Sequence, residues 1–300
     1  MKTLNFKFTN NNSTKPKRVV MLGSSGIIAT NLQAKLKKKK INVLPIGRSK
    51  LNLKNENMAK FLRKKIKNND VVIFIAAEAP VKNDEMFFNN LKICNTVCKS
   101  LDEKTIQQLI YISSDAIYGD EKKKISEKSE ILPGSLHGLM HATREAILKN
   151  KFSKILCILR PTLIYGIGDS HNGYGPNKFI NLALKNNEIS IFGNGEERRD
   201  HIFINDLIEI IIRCLEKRAI GTLNLASGRI YSFRYIAEQI IKYTKSKSKL
   251  KKIKRIGPMP HNGYRPFNIK LLKRNFKNIK LSNIKTGIKK YLADLDPKLC

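Results

Sequence analysis

Two histidines, His137 and His141, stand four residues apart in LHGLMHATREAILK, a stretch with the composition of a helix. Side chains at that separation share one helix face. Neutral imidazole both donates and accepts a proton, and its ordinary pKa of ~6.5 lies near working pH, so such a pair can do acid–base chemistry without a neighbouring cation. The spacing is also that of paired metal ligands on a helix. HGLMH lacks the glutamate of an HExxH site, and His171, His201 and His261 are only remote sources of a third ligand, so no metal site is expected.

A second chemistry-bearing stretch is Gly23-Ser24-Ser25-Gly26-Ile27-Ile28-Ala29, which follows the apolar run RVVML and opens a helical segment. A glycine turn between strand and helix lets the backbone approach a pyrophosphate, whose charge then rests on free N–H groups at the helix N-terminus. A dinucleotide cofactor is the expectation. After the next apolar run, INVLPI, a carboxylate would select the free ribose of NAD. Gly47-Arg48-Ser49-Lys50 has none, and its cations and hydroxyl suit the 2′-phosphate of NADP; Arg48 and Asn52 are therefore taken as cofactor-binding candidates, with a lean to NADP. Further along, DSHNGYGPNKF is rich in turn, aromatic and amide residues, and Tyr174 and Asn177 are candidates to line a substrate cleft.

The elements that must hold these residues alternate. RVVML, INVLPIG, DVVIFIAA, LIYISSDAIYG and KILCILRPTLIYG read as strands, separated by helical stretches near 31–40, 58–67, 87–101 and 137–149. Strands that are nearly continuously apolar belong to a sheet covered on both faces. The alternation predicts an α/β fold with a doubly wound parallel sheet and ligand beyond the carboxyl ends of the strands. Residues 1–16 read as a disordered lead-in, 17–166 as the dinucleotide-binding domain with 198–226 returning to it, and 167–197 with 227–300 as a smaller substrate-binding region.

Composition sets limits. The chain has 300 residues, 41% of them hydrophobic, and no run reaches the ~18 apolar residues of a membrane span. Its start lacks the apolar core of a secretory signal, and the five cysteines are odd in number and scattered, which suits a reducing cytoplasm. The formal net charge is +34. Such charge can serve nucleic-acid or anionic-membrane binding. The densest lysine runs, at 35–40, 122–124 and 245–255, are dispersed and lack interleaved aromatics, which argues against a nucleic-acid surface.

Several of these stretches together resemble the extended short-chain dehydrogenases/reductases, the group that includes sugar-nucleotide epimerases and dehydratases. GSSGIIA is similar to their glycine turn, IFIAA ending at Ala76-Ala77 to the strand beside the cofactor, and RPTLIYG, with Pro161, to the segment near the nicotinamide. The resemblance implies a Rossmann domain, a nicotinamide cofactor, a nucleotide-sugar substrate and a homodimer. In YISSDAIYG it implies that Ser114 hydrogen-bonds the reacting carbonyl. In IFGNGEERRDHIFINDL and GYRPF it implies that Arg199 and Arg265 hold substrate phosphates and that Asp206 opens a helix.

One departure is decisive. Where the family has YxxxK, this chain has His137 and His141, so both usual catalytic side chains are replaced. His137 is expected to act where the tyrosine acts and His141 to hold the nicotinamide ribose. Ala116 stands where dehydratases often carry a glutamate, which argues against dehydration, and Leu163 where many epimerases carry an asparagine. The expected function is an NAD(P)-dependent epimerase or ketoreductase of a nucleotide sugar. The alternative is a cofactor-binding scaffold that has lost catalysis and holds RNA through its basic surface.

Overall fold

In a computed structural model, which describes residues 4–102, 105–121, 123–169 and 172–297, the apolar runs form strands and the segments between them helices. In chain order these are β1 (Lys7–Phe8), β2 (Arg18–Leu22), α1 (Ile27–Lys38), β3 (Asn42–Ile46), α2 (Met58–Lys65), β4 (Val71–Phe74), α3 (Asp84–Leu101), β5 (Gln108–Ile112), α4 (Leu136–Phe152) and β6 (Leu156–Pro161). There follow β7 (Leu163–Tyr165), α5 (Pro176–Leu184), β8 (Ile189–Phe192), β9 (Arg198–Phe203), α6 (Ile204–Glu216), β10 (Ala219–Leu225), β11 (Ile230–Ser232), α7 (Phe233–Thr244), β12 (Leu250–Ile253), β13 (Tyr264–Arg265), α8 (Lys270–Asn275) and α9 (Ile284–Leu295).

The chain divides into two units. The first comprises the residues up to Gly119, Glu127–Pro161 and Ile208–Asn224. Its sheet runs β1-β10-β6-β5-β4-β2-β3, and the pairs β2/β3, β2/β4, β4/β5 and β5/β6 are parallel. Every residue of β4, β5 and β6 is buried, as a sheet covered on both faces requires. From β2 the chain crosses first to β3 on one side and then to β4 on the other, so a crevice opens beyond the carboxyl ends of β2 and β4. Helix α1 packs its Ile28, Ala29, Leu32 and Leu36 stripe inward and ends on Lys35, Lys37 and Lys38, which complement the helix dipole.

Two boundaries differ from those read in the sequence. Within the lead-in β1 pairs antiparallel with β10, Phe6 is buried and meets Phe8 edge to face, and Leu4 packs on the core, so a few apolar side chains and backbone bonds to β10 seat a polar stretch. The return to the first unit is Ile208–Asn224 rather than 198–226, because β9 joins a sheet of the second unit, pairing with β11, β13 and β7.

The second unit comprises Asp120–Ser126, Thr162–Leu207 and the chain from Leu225 onward. Besides the sheet around β9 it holds the parallel pair β12/β8, with α5, α7 and α9 packed together. Helix α6 begins at Ile204 and carries Asp206 inside its first turn, where the carboxylate accepts from the Ser282 N–H at 2.6 Å rather than capping the helix. Among the described residues no helix is long and apolar enough to cross a membrane.

Candidate active site

The crevice of the first unit is lined by Gly23, Ser24, Ser25, Arg48, Asn52, Ala76, Ala77 and Glu78, among others. Gly23 takes φ +93°, and a Cβ there would stand 2.6 Å from the Ala76 backbone nitrogen, so only glycine lets β2 and β4 meet at this point. Gly26 has the same φ but faces open space. It precedes Ile27, the first residue of α1, with no side-chain cap and no acid in the first turn. The free N–H groups and positive end of the helix dipole are thus left for an anion. Ile28 is buried against the sheet, so only its backbone can serve a ligand. Gly47 packs on Ser24, since an added Cβ would overlap the serine hydroxyl. Arg48 and Asn52 are exposed at the rim, and Glu78 is paired with Lys54 at 3.0 Å. Cleft shape, glycine placement and free donors fit a dinucleotide pyrophosphate.

Helix α4 carries the histidines. Ser135 caps it by accepting from the Gly138 N–H at 3.1 Å, which fixes where the first turn begins. Gly138 lies hard against the carbonyl oxygen of Ala116, where any Cβ would overlap. That contact brings His137 beside the turn Asp115–Ile117, whose cap is the Ser114 hydroxyl accepting from the Ala116 N–H at 3.1 Å. His137 and Ser114 are both half-buried. His141 points into the unit, where its Nδ1 meets the Tyr111 hydroxyl at 2.7 Å. Burial lowers the pKa of His137, with the Asp115 charge opposing and Arg144 assisting. His141 is pushed well below the ordinary histidine value by burial and then by His137 and Arg144. It is neutral, whereas a lysine would be charged. Pro161 ends β6 and is buried.

Two side chains that the sequence reading did not single out tie this helix to its surroundings. Arg144, fully buried, donates to the Ala76 carbonyl at 2.9 Å and to the Asn90 carbonyl at 2.6 Å, and its guanidinium lies 5.0 Å from the Phe74 ring centroid. Asn90 in turn donates to the Glu78 carbonyl and accepts from its N–H, so the crevice turn is held from α3 and α4 together. Glu145 accepts from Ser113 at 2.7 Å and from Arg160 at 2.6 and 2.8 Å; Arg160 donates to Tyr118 at 2.7 Å. Burial opposes ionisation of Glu145, but the Arg160 pair outweighs it and keeps its pKa lowered. The signal was present: Glu145 follows His141 by four and His137 by eight, on the same helix face.

The second unit holds the arginines. Arg199 and Arg265 are direct register partners on the parallel strands β9 and β13, and Tyr231 opposes Arg199 on the other side. Arg199 donates to Glu197 at 3.2 Å, and Arg255 donates to the same carboxylate at 3.0 Å. Arg265, 1% exposed, donates to Asp120 at 3.0 Å beside His261. Arg199, Arg255, Arg265 and His261 thus gather cationic and imidazole groups around Glu197 and Asp120, a guanidinium-rich cluster of the chemistry that recognises phosphate oxygens, with Arg265 itself buried. Arg255 is not among the sequence candidates because nothing local distinguishes it from the chain's many other cations, and His261 is weighed there only as a remote metal ligand. Tyr174 and Asn177 do not join this cluster directly. Tyr174 accepts from the Phe192 N–H and packs among Phe179, Phe192 and Phe233. Asn177 accepts from the Gly166 N–H at 3.0 Å and donates to Asp169 at 2.7 Å, pinning a loop. His171 lies outside the described residues. Among the described residues no cluster of three metal-ligating side chains occurs.

A model of the NAD dependent epimerase/dehydratase family matches residues 19–226. Over 231 residues the chain is 26% identical to an uncharacterized UDP-glucose epimerase of Bacillus subtilis, covering 67% of this chain and 73% of that one. The fold is similar to a UDP-glucose 4-epimerase of Thermotoga maritima solved with UDP-glucose, with a TM-score of 0.83 at 17% identity over 94% of this chain and 100% of that one. It is also similar to a UDP-glucuronic acid 4-epimerase of Bacillus cereus solved with UDP-glucuronic acid and NAD, with a TM-score of 0.79 at 20% identity over the same shares.

Proposed function

The chain belongs to the NAD dependent epimerase/dehydratase family, and from that premise we propose that it is an NAD(P)-dependent epimerase or ketoreductase acting on a nucleotide sugar. The observation that carries this reading is the union, within one unit, of an open pyrophosphate cradle with Ser114 and His137, the Ala76 turn being clamped by Arg144 from the histidine helix. When bound, the nicotinamide accepts or returns a hydride. Gly23 through Ile28 would hold the pyrophosphate, and Arg48 with Asn52 the adenosine ribose, with NADP preferred. Ala76, Ala77 and Pro161 would bound the nicotinamide end.

Ser114 would donate to the substrate oxygen and orient it. His137, neutral above its lowered pKa, would take the proton from that hydroxyl as the carbon is oxidised and return it on reduction. His141 would hold the nicotinamide ribose as a neutral group. Arg199 and Arg265 would hold the substrate diphosphate, with Tyr174 and Asn177 shaping the loop of that unit. Exposed Phe88 on α3 and Leu136 and Leu139 on α4 leave an apolar face that a second copy of the chain would cover.

Titration with NADPH and NADH by fluorescence, with and without a panel of nucleotide sugars and repeated on His137→Ala, tests the proposal. Tight binding with His137-dependent redox change is the expected result. Binding with no turnover of any sugar would favour the scaffold reading, for which the buried, uncharged His141 is the supporting observation.

A further inference from the structure

We infer that Tyr111 is a positioning residue that locks His141 in its Nε2–H tautomer, so that the histidine offers an uncharged donor where the resembling pattern has a lysine ammonium. The inference deepens the proposed function and rests on it for the identity of the acceptor.

Tyr111 lies within β5 and is 1% exposed, and His141 is 6% exposed. Their 2.7 Å contact joins the phenolic oxygen to Nδ1. Only one proton can occupy that contact. If Nδ1 carried it, the phenol would accept, and its own O–H would need a second acceptor inside the unit. The titratable groups that act on the phenol are Arg144, which can only donate to it, Glu145, whose oxygens already accept from Ser113, Arg160 and Lys149, and the Cys94 thiol, which makes no hydrogen bond to it among the described residues. A buried hydroxyl left without an acceptor is costly. The phenol therefore donates, Nδ1 accepts, and the one proton of a neutral imidazole falls on Nε2.

Ionisation does not provide an escape. Burial raises the Tyr111 pKa far above neutrality and lowers that of His141, so both stay uncharged. Among the described residues Nε2 makes no hydrogen bond, which leaves a fixed donor for a hydroxyl oxygen such as that of a ribose.

Side-chain imidazole 15N spectroscopy on ligand-free protein tests the lock without reference to activity. At neutral pH the expected wild-type spectrum shows His141 with Nε2 protonated and Nδ1 bare, and Tyr111→Phe converts it to a mixture of tautomers. The same variant is expected to raise the dissociation constant for NADPH about ten-fold, and to have no such effect when combined with His141→Lys, whose ammonium needs no tautomer. A wild-type His141 found with Nδ1–H or as an imidazolium overturns the inference, and that measurement needs no variant to fold. The expected tautomer in a protein that binds no dinucleotide supports the lock and removes the proposed function; the wrong tautomer in an active enzyme does the reverse.

Discussion

The rings of His137 and His141 meet edge to face, with centroids 4.8 Å apart and planes at 87°. Two imidazoles this close do not both carry charge, and His141, the more buried, is the one kept neutral. In the proposed function His137 is the group that would exchange protons with substrate, and burial lowers its pKa below the ordinary ~6.5. For oxidation of the sugar alcohol it must be unprotonated. kcat/KM is therefore expected to rise with pH through a midpoint below ~6.5 and to stay flat above it. Asp115→Asn should move that midpoint lower, since Asp115 favours the imidazolium. His137→Ala should cost about 10²–10⁴ in rate. A midpoint well above 7 would assign the proton transfer to another group.

Beneath that pair, Glu145 and Arg160 form a two-pronged ion pair with both side chains fully buried. Removing one partner strands the other charge in a low-dielectric interior, at a cost of about 3–5 kcal/mol. Glu145→Gln should lower stability by about that amount in urea denaturation. Adding Arg160→Met should recover part of the loss, because the fully buried cation is then gone and only the partly buried Lys149 has lost its ionic partner. Equal losses that simply add would show that the two residues act separately.

The alternation of apolar runs made the parallel sheet legible, since each run is long enough to be a strand and each is bounded by helical sequence or turns. The glycine turn was legible for the same reason: strand, two glycines and helix occur in unbroken order from Arg18 to Lys38. The seat of β1 on β10 was not legible, because it joins residues more than two hundred apart through a few apolar side chains in a polar stretch. The partners of Arg265 were equally hidden. Asp120 and His261 lie in separate loops, and nothing local in either announces the other. The inward turn of His141 could not be read from its spacing, which places it on the face of His137 but does not say that Tyr111 waits beneath.

Gly23 and Gly26 share a φ of +93° but differ in surroundings, which separates two kinds of failure. At Gly23 a methyl group meets the Ala76 backbone, so Gly23→Ala must part β2 from β4 and should destabilise the fold as well as remove dinucleotide binding. At Gly26 the methyl enters open space, and the cost is confined to a backbone conformation, φ +93° and ψ 165°, that is essentially reserved for glycine, about 1–3 kcal/mol. Gly26→Ala should therefore stay folded while NADPH affinity falls at least ten-fold. Isothermal titration alongside thermal melts distinguishes the cases, and unchanged affinity in Gly26→Ala would place the pyrophosphate elsewhere.

His201 supplies a prediction that is independent of the cofactor. It is buried among Tyr165 and Phe233, and neither ring nitrogen makes a well-formed hydrogen bond among the described residues. Burial is the largest cause lowering its pKa to about 3; Arg199 adds to the effect, and the Arg199 backbone offsets only part of it. The unfolded chain titrates this group near ~6.5, so between that pH and about 3 the unfolded state binds one proton more than the folded state, and stability falls as pH falls. Asp200, raised to about 6 mainly by burial, acts in the opposite sense, losing its contribution as pH rises through that value, but it is present in wild type and variant alike. The stability of His201→Phe minus that of wild type therefore isolates the histidine. That difference should grow by about 1.5 kcal/mol between pH 6.5 and pH 5. At pH 7.5 the phenylalanine variant should already be about 1 kcal/mol more stable, because two buried nitrogens no longer lack partners. A difference that does not change across this range would show that His201 keeps its ordinary pKa in the folded protein.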